Sequence, residues 1–207
     1  MTTTNTLPKA IIFDLGSVLI DWNPHHLYRK IFNDEQEMKD FLANIATMDW
    51  NEEQDMGRSL QEGTEILVKQ HPDHETNIRA YYSRWEEMLG GAIEGTVEIF
   101  KQLKADGKYK IYALSNWSVE TLGIAQRHYD FLNWFDGMVV SGLEKTRKPF
   151  PDFYQILLNR YHLLPGECLF IDDNHRNILA AEALGIPSIH FVGVEELEEE
   201  LKKVHVL

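Results

Sequence analysis

The chain has 207 residues, 43% hydrophobic and 26% charged, with a formal net charge of −13. That length buries a core of ordinary size and fits one domain, or a core with a smaller lid, and the composition is that of a globular chain. The negative balance excludes nucleic acid and anionic membranes as partners, because both need clustered Lys and Arg, and it means that an anionic substrate would need a local positive site.

No window approaches the roughly 18 apolar residues of a membrane span. The first five residues lack the basic-then-apolar pattern of a secretory signal, so a cytoplasmic location is expected. The single cysteine, Cys168, excludes an internal disulfide, and its neighbours Leu169 and Phe170 predict a buried thiol.

Ala10, Ile11, Ile12 and Phe13 form a short apolar run that stops at Asp14, Gly16 and Ser17. It predicts a buried strand that delivers Asp14 into a loop. Over residues 24–89 the spacing turns helical, in Leu27, Ile31 and Phe32 and again in Phe41, Leu42 and Ile45. Within it, Ser59-Leu60-Gln61-Glu62 has capping-box form and starts a helix. An all-helical insert is expected.

After Gly90-Gly91 helix and strand alternate. A helix carrying Val97, Phe100 and Leu103 stops at Gly107, and a strand over 109–114 ends at Ser115-Asn116. A helix after Ser118, a strand over 138–140, a helix over about 153–161 and a strand over 169–171 follow. A helix after Asn174 closes at Gly185, and a last strand covers 187–192. This alternation predicts an α/β, doubly wound parallel sheet. The acidic run 195–200 followed by Lys202 and Lys203 reads as a solvated terminal helix whose charges complement its dipole.

Three polar clusters stand at the carboxyl ends of predicted strands: Asp14 to Ser17, Ser115-Asn116, and Asp172-Asp173-Asn174. Ligands of open parallel sheets bind at that edge, so segments far apart in sequence can share one site. A carboxylate there can attack phosphorus, and two more can hold a hard cation that prefers oxygen. Ser115 and Asn116 offer a hydroxyl and an amide to phosphate oxygens, and Lys148 offers a point charge.

These segments resemble the four ordered motifs of the haloacid dehalogenase superfamily: Phe13-Asp14-Leu15-Gly16-Ser17-Val18-Leu19, Leu114-Ser115-Asn116, Lys148-Pro149 and Phe170-Ile171-Asp172-Asp173-Asn174. The resemblance spans residues 11–193. It implies a Rossmann-like core over 8–21 and 91–207, and a small helical cap over 22–90. It also implies a phosphohydrolase in which Asp14 becomes an aspartyl-phosphate, stabilised by Ser115 and Lys148. Magnesium would sit between Asp14, the Gly16 carbonyl and Asp173, with Asp172 acting through metal-bound water. The substrate would be a small phosphorylated molecule.

One position departs from the family. Most of its phosphatases carry a second aspartate two residues after the nucleophile, to protonate the leaving oxygen; here Gly16 stands there. Three readings compete. A branch acting on sugar 1-phosphates shares the Asp-Leu-Gly start and has a leaving group that needs less acid help. A 2-haloacid dehalogenase also lacks the acid, but has no need of the paired carboxylates Asp172 and Asp173. A binding module would keep the fold without turnover. A steep dependence of rate on leaving-group pKa is expected unless His25 or His26, beside the first motif, supplies the proton.

Trp50, Glu53, Asp55 and Arg58 belong to the cap, whose tip faces the core in this family. Trp50 and Trp117 either stack on substrate or pack. Asn116 either orients phosphate or caps a turn, Asn174 caps a helix, His175 faces solvent, and Asp21 braces the approach to the cap.

Overall fold

The computed structural model describes residues 7–207. β1 (Ala10–Phe13) is buried along its whole length, as an unbroken apolar run demands of a strand covered on both faces. β2 (Ile20–Trp22) leads into five helices, α1 (Pro24–Tyr28), α2 (Glu35–Asn44), α3 (Met48–Asp55), α4 (Leu60–Gln70) and α5 (Glu75–Ser83), and β3 (Leu89–Ala92) brings the chain back. Then come α6 (Glu94–Asp106), β4 (Lys110–Ser115), α7 (Val119–His128), β5 (Gly137–Val140), α8 (Ser141–Glu144) and α9 (Pro151–Arg160). β6 (Cys168–Asp172), α10 (His175–Ala183), β7 (Ser188–His190) and α11 (Val194–Lys203) complete the chain.

The main sheet has five strands in the order β5-β4-β1-β6-β7, all paired in parallel. The chain first winds outward from β1 through β4 to β5, then crosses back to β6 and β7. Its direction therefore reverses between β1 and β6, which is where an open sheet of this kind leaves a crevice at its carboxyl edge. Alternation along the strands divides the core. Ile11, Phe13, Ile111 and Ala113 pack with Phe100 and Leu103 on one side, and Ala10, Ile12, Leu114 and Phe170 pack with Phe153 and Leu157 on the other.

The helix ends follow their local chemistry. Ser59 accepts from the Glu62 amide, Ser118 from Glu120 and Asn174 from Arg176, each a side chain satisfying an orphan amide at a helix start. Gly107, at φ 64, closes α6. Cys168 is buried, and burial pushes its thiol up to about 12, so the inert reading of this residue stands.

The fold departs from expectation in two places. β2 and β3 pair antiparallel, making a two-stranded ribbon at the base of the helical segment that no apolar alternation announced. A Cβ on Gly90 would run into the Asp21 carboxylate and the His26 ring, so only glycine lets β3 pass beneath that pair. The last strand is also shorter than 187–192, because only Ser188–His190 pair with β6. Trp50 packs inside the helical segment: its indole N–H donates to the Gly63 carbonyl at 3.0 Å and its ring meets Tyr81 edge-on at 5.0 Å. No helix among the described residues is long and apolar enough to cross a membrane.

Candidate active site

β1 ends at Phe13, and the pairing continues one residue further, where the Asp14 amide donates to the Ile171 carbonyl at 2.9 Å. Asp14 is thereby fixed at the crevice. Its Oδ1 accepts from its neighbour's amide at Leu15 (2.8 Å) and from the Ser115 hydroxyl at the end of β4 (2.8 Å). The same oxygen lies 2.9 Å from Lys148 Nζ.

Lys148 is almost wholly buried, at 1% exposure, and its ammonium bridges two carboxylates by donating also to Asp172 Oδ2 at 2.6 Å. Asp172, the last residue of β6, is fully enclosed and accepts from the Asn174 amide (2.8 Å) and from Asn177 Nδ2 (3.0 and 3.1 Å). Asn116 brackets the lysine's backbone: its Oδ1 accepts from the Lys148 amide at 2.8 Å, and its Nδ2 donates to the Lys148 carbonyl at 3.0 Å. Its amide is thus spent on holding Lys148, in place of the turn cap that sequence allowed.

Removing a carboxylate from water disfavours its charged form. Burial pushes Asp14 up to about 7, with Lys148 opposing and Asp172 and Asp173 adding to the rise. Burial also works against the Lys148 charge, but Asp14 and Asp172 outweigh it and hold the ammonium above its ordinary value. Asp173, the exposed member, is raised by burial and by Asp172, with Lys148 and the Ser17 hydroxyl opposing. Ser17 adopts φ 58, a left-handed conformation uncommon outside glycine.

Asp14, Asp172 and Asp173 each present an oxygen, all within 4.8 Å of one another. Three carboxylates against one ammonium leave uncompensated negative charge, and the donors are hard oxygens with no sulfur or imidazole among them. That chemistry fits a hard dication such as magnesium.

α3 lies across this edge. Glu52 pairs with Arg147 at 2.7 Å and with Arg176 at 3.4 Å, and Asp55 Oδ1 accepts from the Ser118 amide at 3.1 Å. Lys145 donates to the Gly57 carbonyl at 3.1 Å. Beneath α3 is a cavity of about 60 Å³ with aromatic walls, Trp22, Tyr82, Trp85 and Trp117. Gly16 and Asn116 face it from the core, and Asn51 and Asp55 from α3.

The residues named by sequence fall into two groups. Asp14, Ser115, Lys148, Asp172 and Asp173 converge, and Gly16, Asn116, Trp117 and Asp55 border the adjoining cavity. The others stand apart. His26 is paired with Asp21 at 2.9 Å, His25 is hydrogen-bonded to Asn23 at 2.7 Å, and neither borders the cavity. His175 is exposed, 5.4 Å from the His190 ring, Glu53 is exposed, and Arg58 is bound to Gln54. Asn177 went unremarked in the sequence, although it follows Asn174 by three residues and so shares its helix face. Tyr82 and Trp85 gave no signal beyond their aromaticity.

A model of haloacid dehalogenase-like hydrolases matches residues 8–185. A sesquiterpene phosphatase of Aspergillus oryzae is 28% identical over 183 residues, covering 88% of this chain and 89% of that protein. A phosphorylated carbohydrates phosphatase of Thermotoga maritima is 24% identical over 197 residues, covering 89% and 85%. The fold is shared with a haloacid dehalogenase-family enzyme of Bacteroides thetaiotaomicron in complex with magnesium and inorganic phosphate, at TM-score 0.65 and 20% identity over 88% of this chain and 93% of that one.

Proposed function

The chain belongs to the haloacid dehalogenase-like hydrolases, and on that premise we propose that it is a magnesium-dependent phosphohydrolase of small phosphorylated metabolites, working through an aspartyl-phosphate on Asp14. One observation carries this reading: Asp14, bonded to Ser115 and paired with Lys148, shares a cluster with Asp172 and Asp173.

In this reading residues 8–21 and 91–207 are the core, and 22–90 is a cap that closes the site through α3. Asp14 forms the bond to phosphorus while the ester bond breaks. Ser115 donates a hydrogen bond to the transferring group, and Lys148 supplies the positive charge that an acidic protein otherwise lacks there. Asn116 keeps Lys148 in register, and with Gly16 it faces the substrate. Asp14, Asp173 and the Gly16 carbonyl would hold the magnesium, which when bound supplies positive charge against the phosphate oxygens. Asp172, buried and already accepting from Asn174, Asn177 and Lys148, acts one layer out.

A departing halide takes no proton and needs no cation, so a dehalogenase would have no need of Asp172 and Asp173 beside Asp14. A pure binding module would leave the bonded Asp14 and Ser115 idle. The aromatic cavity next to Gly16 suits a leaving group with an apolar face, as in a sugar 1-phosphate, because rings stack on the sugar's C–H face.

The test is a phosphate-release screen over sugar 1-phosphates, sugar 6-phosphates, isoprenoid monophosphates and nucleotides, with magnesium and with excess chelator. Turnover that the chelator abolishes, highest on sugar 1-phosphates, is the expected result. Undiminished turnover in chelator, or halide release from 2-chloropropionate, would contradict the reading.

A further inference from the structure

With Gly16 in place of a carboxylate, the loop after β1 supplies no second carboxylate to protonate the leaving oxygen. A Cβ built on Gly16 meets nothing within 4 Å, so the room that a side chain would fill at this position is open. The cavity that Gly16 borders is also bordered by Asp55, the last residue of α3. Asp55 is held by both oxygens: Oδ1 accepts from the Ser118 amide at 3.1 Å, and Oδ2 accepts from Asn51 Nδ2 at 2.8 Å. Asn51 is oriented in turn by the Tyr82 hydroxyl, which donates to its Oδ1 at 3.0 Å. These bonds fix the Asp55 carboxyl at the cavity wall.

Building on the phosphatase reading, we propose that Asp55 of the helical segment is the general acid and base of this enzyme, acting from across the cavity in place of the carboxylate missing at Gly16. In the first half-reaction Asp14 forms a bond to phosphorus and the ester P–O bond breaks, its electron pair staying on the leaving oxygen. That oxygen takes the proton of the Asp55 carboxyl, whose O–H pair remains as carboxylate. In the second half-reaction water bonds to phosphorus, the Asp14–phosphorus bond breaks with its pair returning to Asp14, and Asp55 takes the water proton. The cycle needs no reagent beyond ester and water.

The electrostatics support this division of labour. Burial raises Asp55 to about 8, with Glu52 adding to the rise and the Ser118 amide, Asn51 and Arg147 opposing it. The charged and titratable groups facing it are Glu52 on its own helix, Arg147 from the loop before α9, and Tyr81 and Tyr82 of α5, whose phenols burial keeps neutral. Lys145 is engaged with the Gly57 carbonyl and Arg58 with Gln54. The balance of these groups favours the protonated form of Asp55, the one that donates.

Single-turnover release of the leaving group is measured for butyl phosphate and 4-nitrophenyl phosphate, on magnesium-loaded wild type and Asp55→Asn, from about pH 5 to about pH 9.5, a range that brackets the donor. The aryl oxygen leaves unaided, so Asp55→Asn should lose on the order of 10²–10⁴ in rate on butyl phosphate and only a few-fold on the aryl ester. Wild-type rates on butyl phosphate should fall as pH rises through about 8, where Asp55 loses its proton, and the variant should lose that descending limb. In the variant the aryl ester should leave Asp14 phosphorylated, because water activation fails as well.

An equal loss on both esters would make Asp55 a structural residue and overturn the proposal. If Asp55→Asn does not fold, the wild type decides: a limb near pH 8 for butyl phosphate but not for the aryl ester supports the assignment, and identical profiles overturn it. Wild type inert toward both esters would instead sink the phosphatase reading on which the proposal rests.

Discussion

Lys148 does more for the site than its single charge implies. Its ammonium is paired with both Asp14 and Asp172, and at 1% exposure it is shut off from solvent. Removing one partner of a buried ion pair leaves an uncompensated charge, at a cost of about 3–5 kcal/mol. Lys148→Met, which keeps much of the volume, should lower stability in metal-free urea denaturation by about that amount. Unchanged stability would mean that the two carboxylates do not depend on it. The lysine was legible in the sequence because a Lys-Pro in a polar loop completes a motif. The use made of Asn116 was not, because an amide that brackets a backbone some 30 residues away leaves no local pattern. Asn177 was legible in principle from its spacing to Asn174, but the N-cap reading of Asn174 hid it.

The elements differ in how much of themselves they announce. β1, β4 and β6 end in polar steps, and their parallel register alone brings Asp14, Ser115 and Asp172 together. Hydrophobic runs and strand ends were therefore enough to find the crevice. The β2–β3 ribbon stayed hidden because Leu89–Ala92 contains two glycines and barely alternates. The seating of α3 stayed hidden too: its contacts, Glu52 to Arg147 and Asp55 to Ser118, are made only once the helical segment folds over the core. That seating turns on Gly57, at φ 105, where a Cβ would lie 2.9 Å from the Gly142 carbonyl and would also strike the Lys145 side chain. Gly57→Ala should cost about 1–3 kcal/mol in urea denaturation through strain at a positive φ, and it should raise KM by unseating α3. Gly166→Ala, where a Cβ meets nothing within 4 Å, serves as the control and should stay within about 0.5 kcal/mol of wild type. If the two variants behave alike, α3 is not locked through Gly57.

Across the whole molecule, a net charge of −13 is set against the buried Lys148 ammonium at the reversal point of the sheet. The bulk charge repels phosphate at long range, so recognition rests on the crevice itself and on a cation that the three carboxylates suit. The doubly wound order and the helical segment inserted after β1 followed from the alternation of apolar periods. The acid chemistry did not, because Gly16 announced a missing group while its proposed replacement, Asp55, lies across a cavity that only the tertiary structure encloses. The proposed role of Asp14 is to carry the phosphoryl group. Its most direct test is rapid acid quenching of magnesium-loaded protein during the first turnover of 4-nitrophenyl phosphate, followed by peptide mass analysis. Phosphate is expected covalently on Asp14 in the wild type and none in Asp14→Asn; product release in the first turnover with no phosphorylated Asp14, or full turnover by Asp14→Asn, would overturn that role.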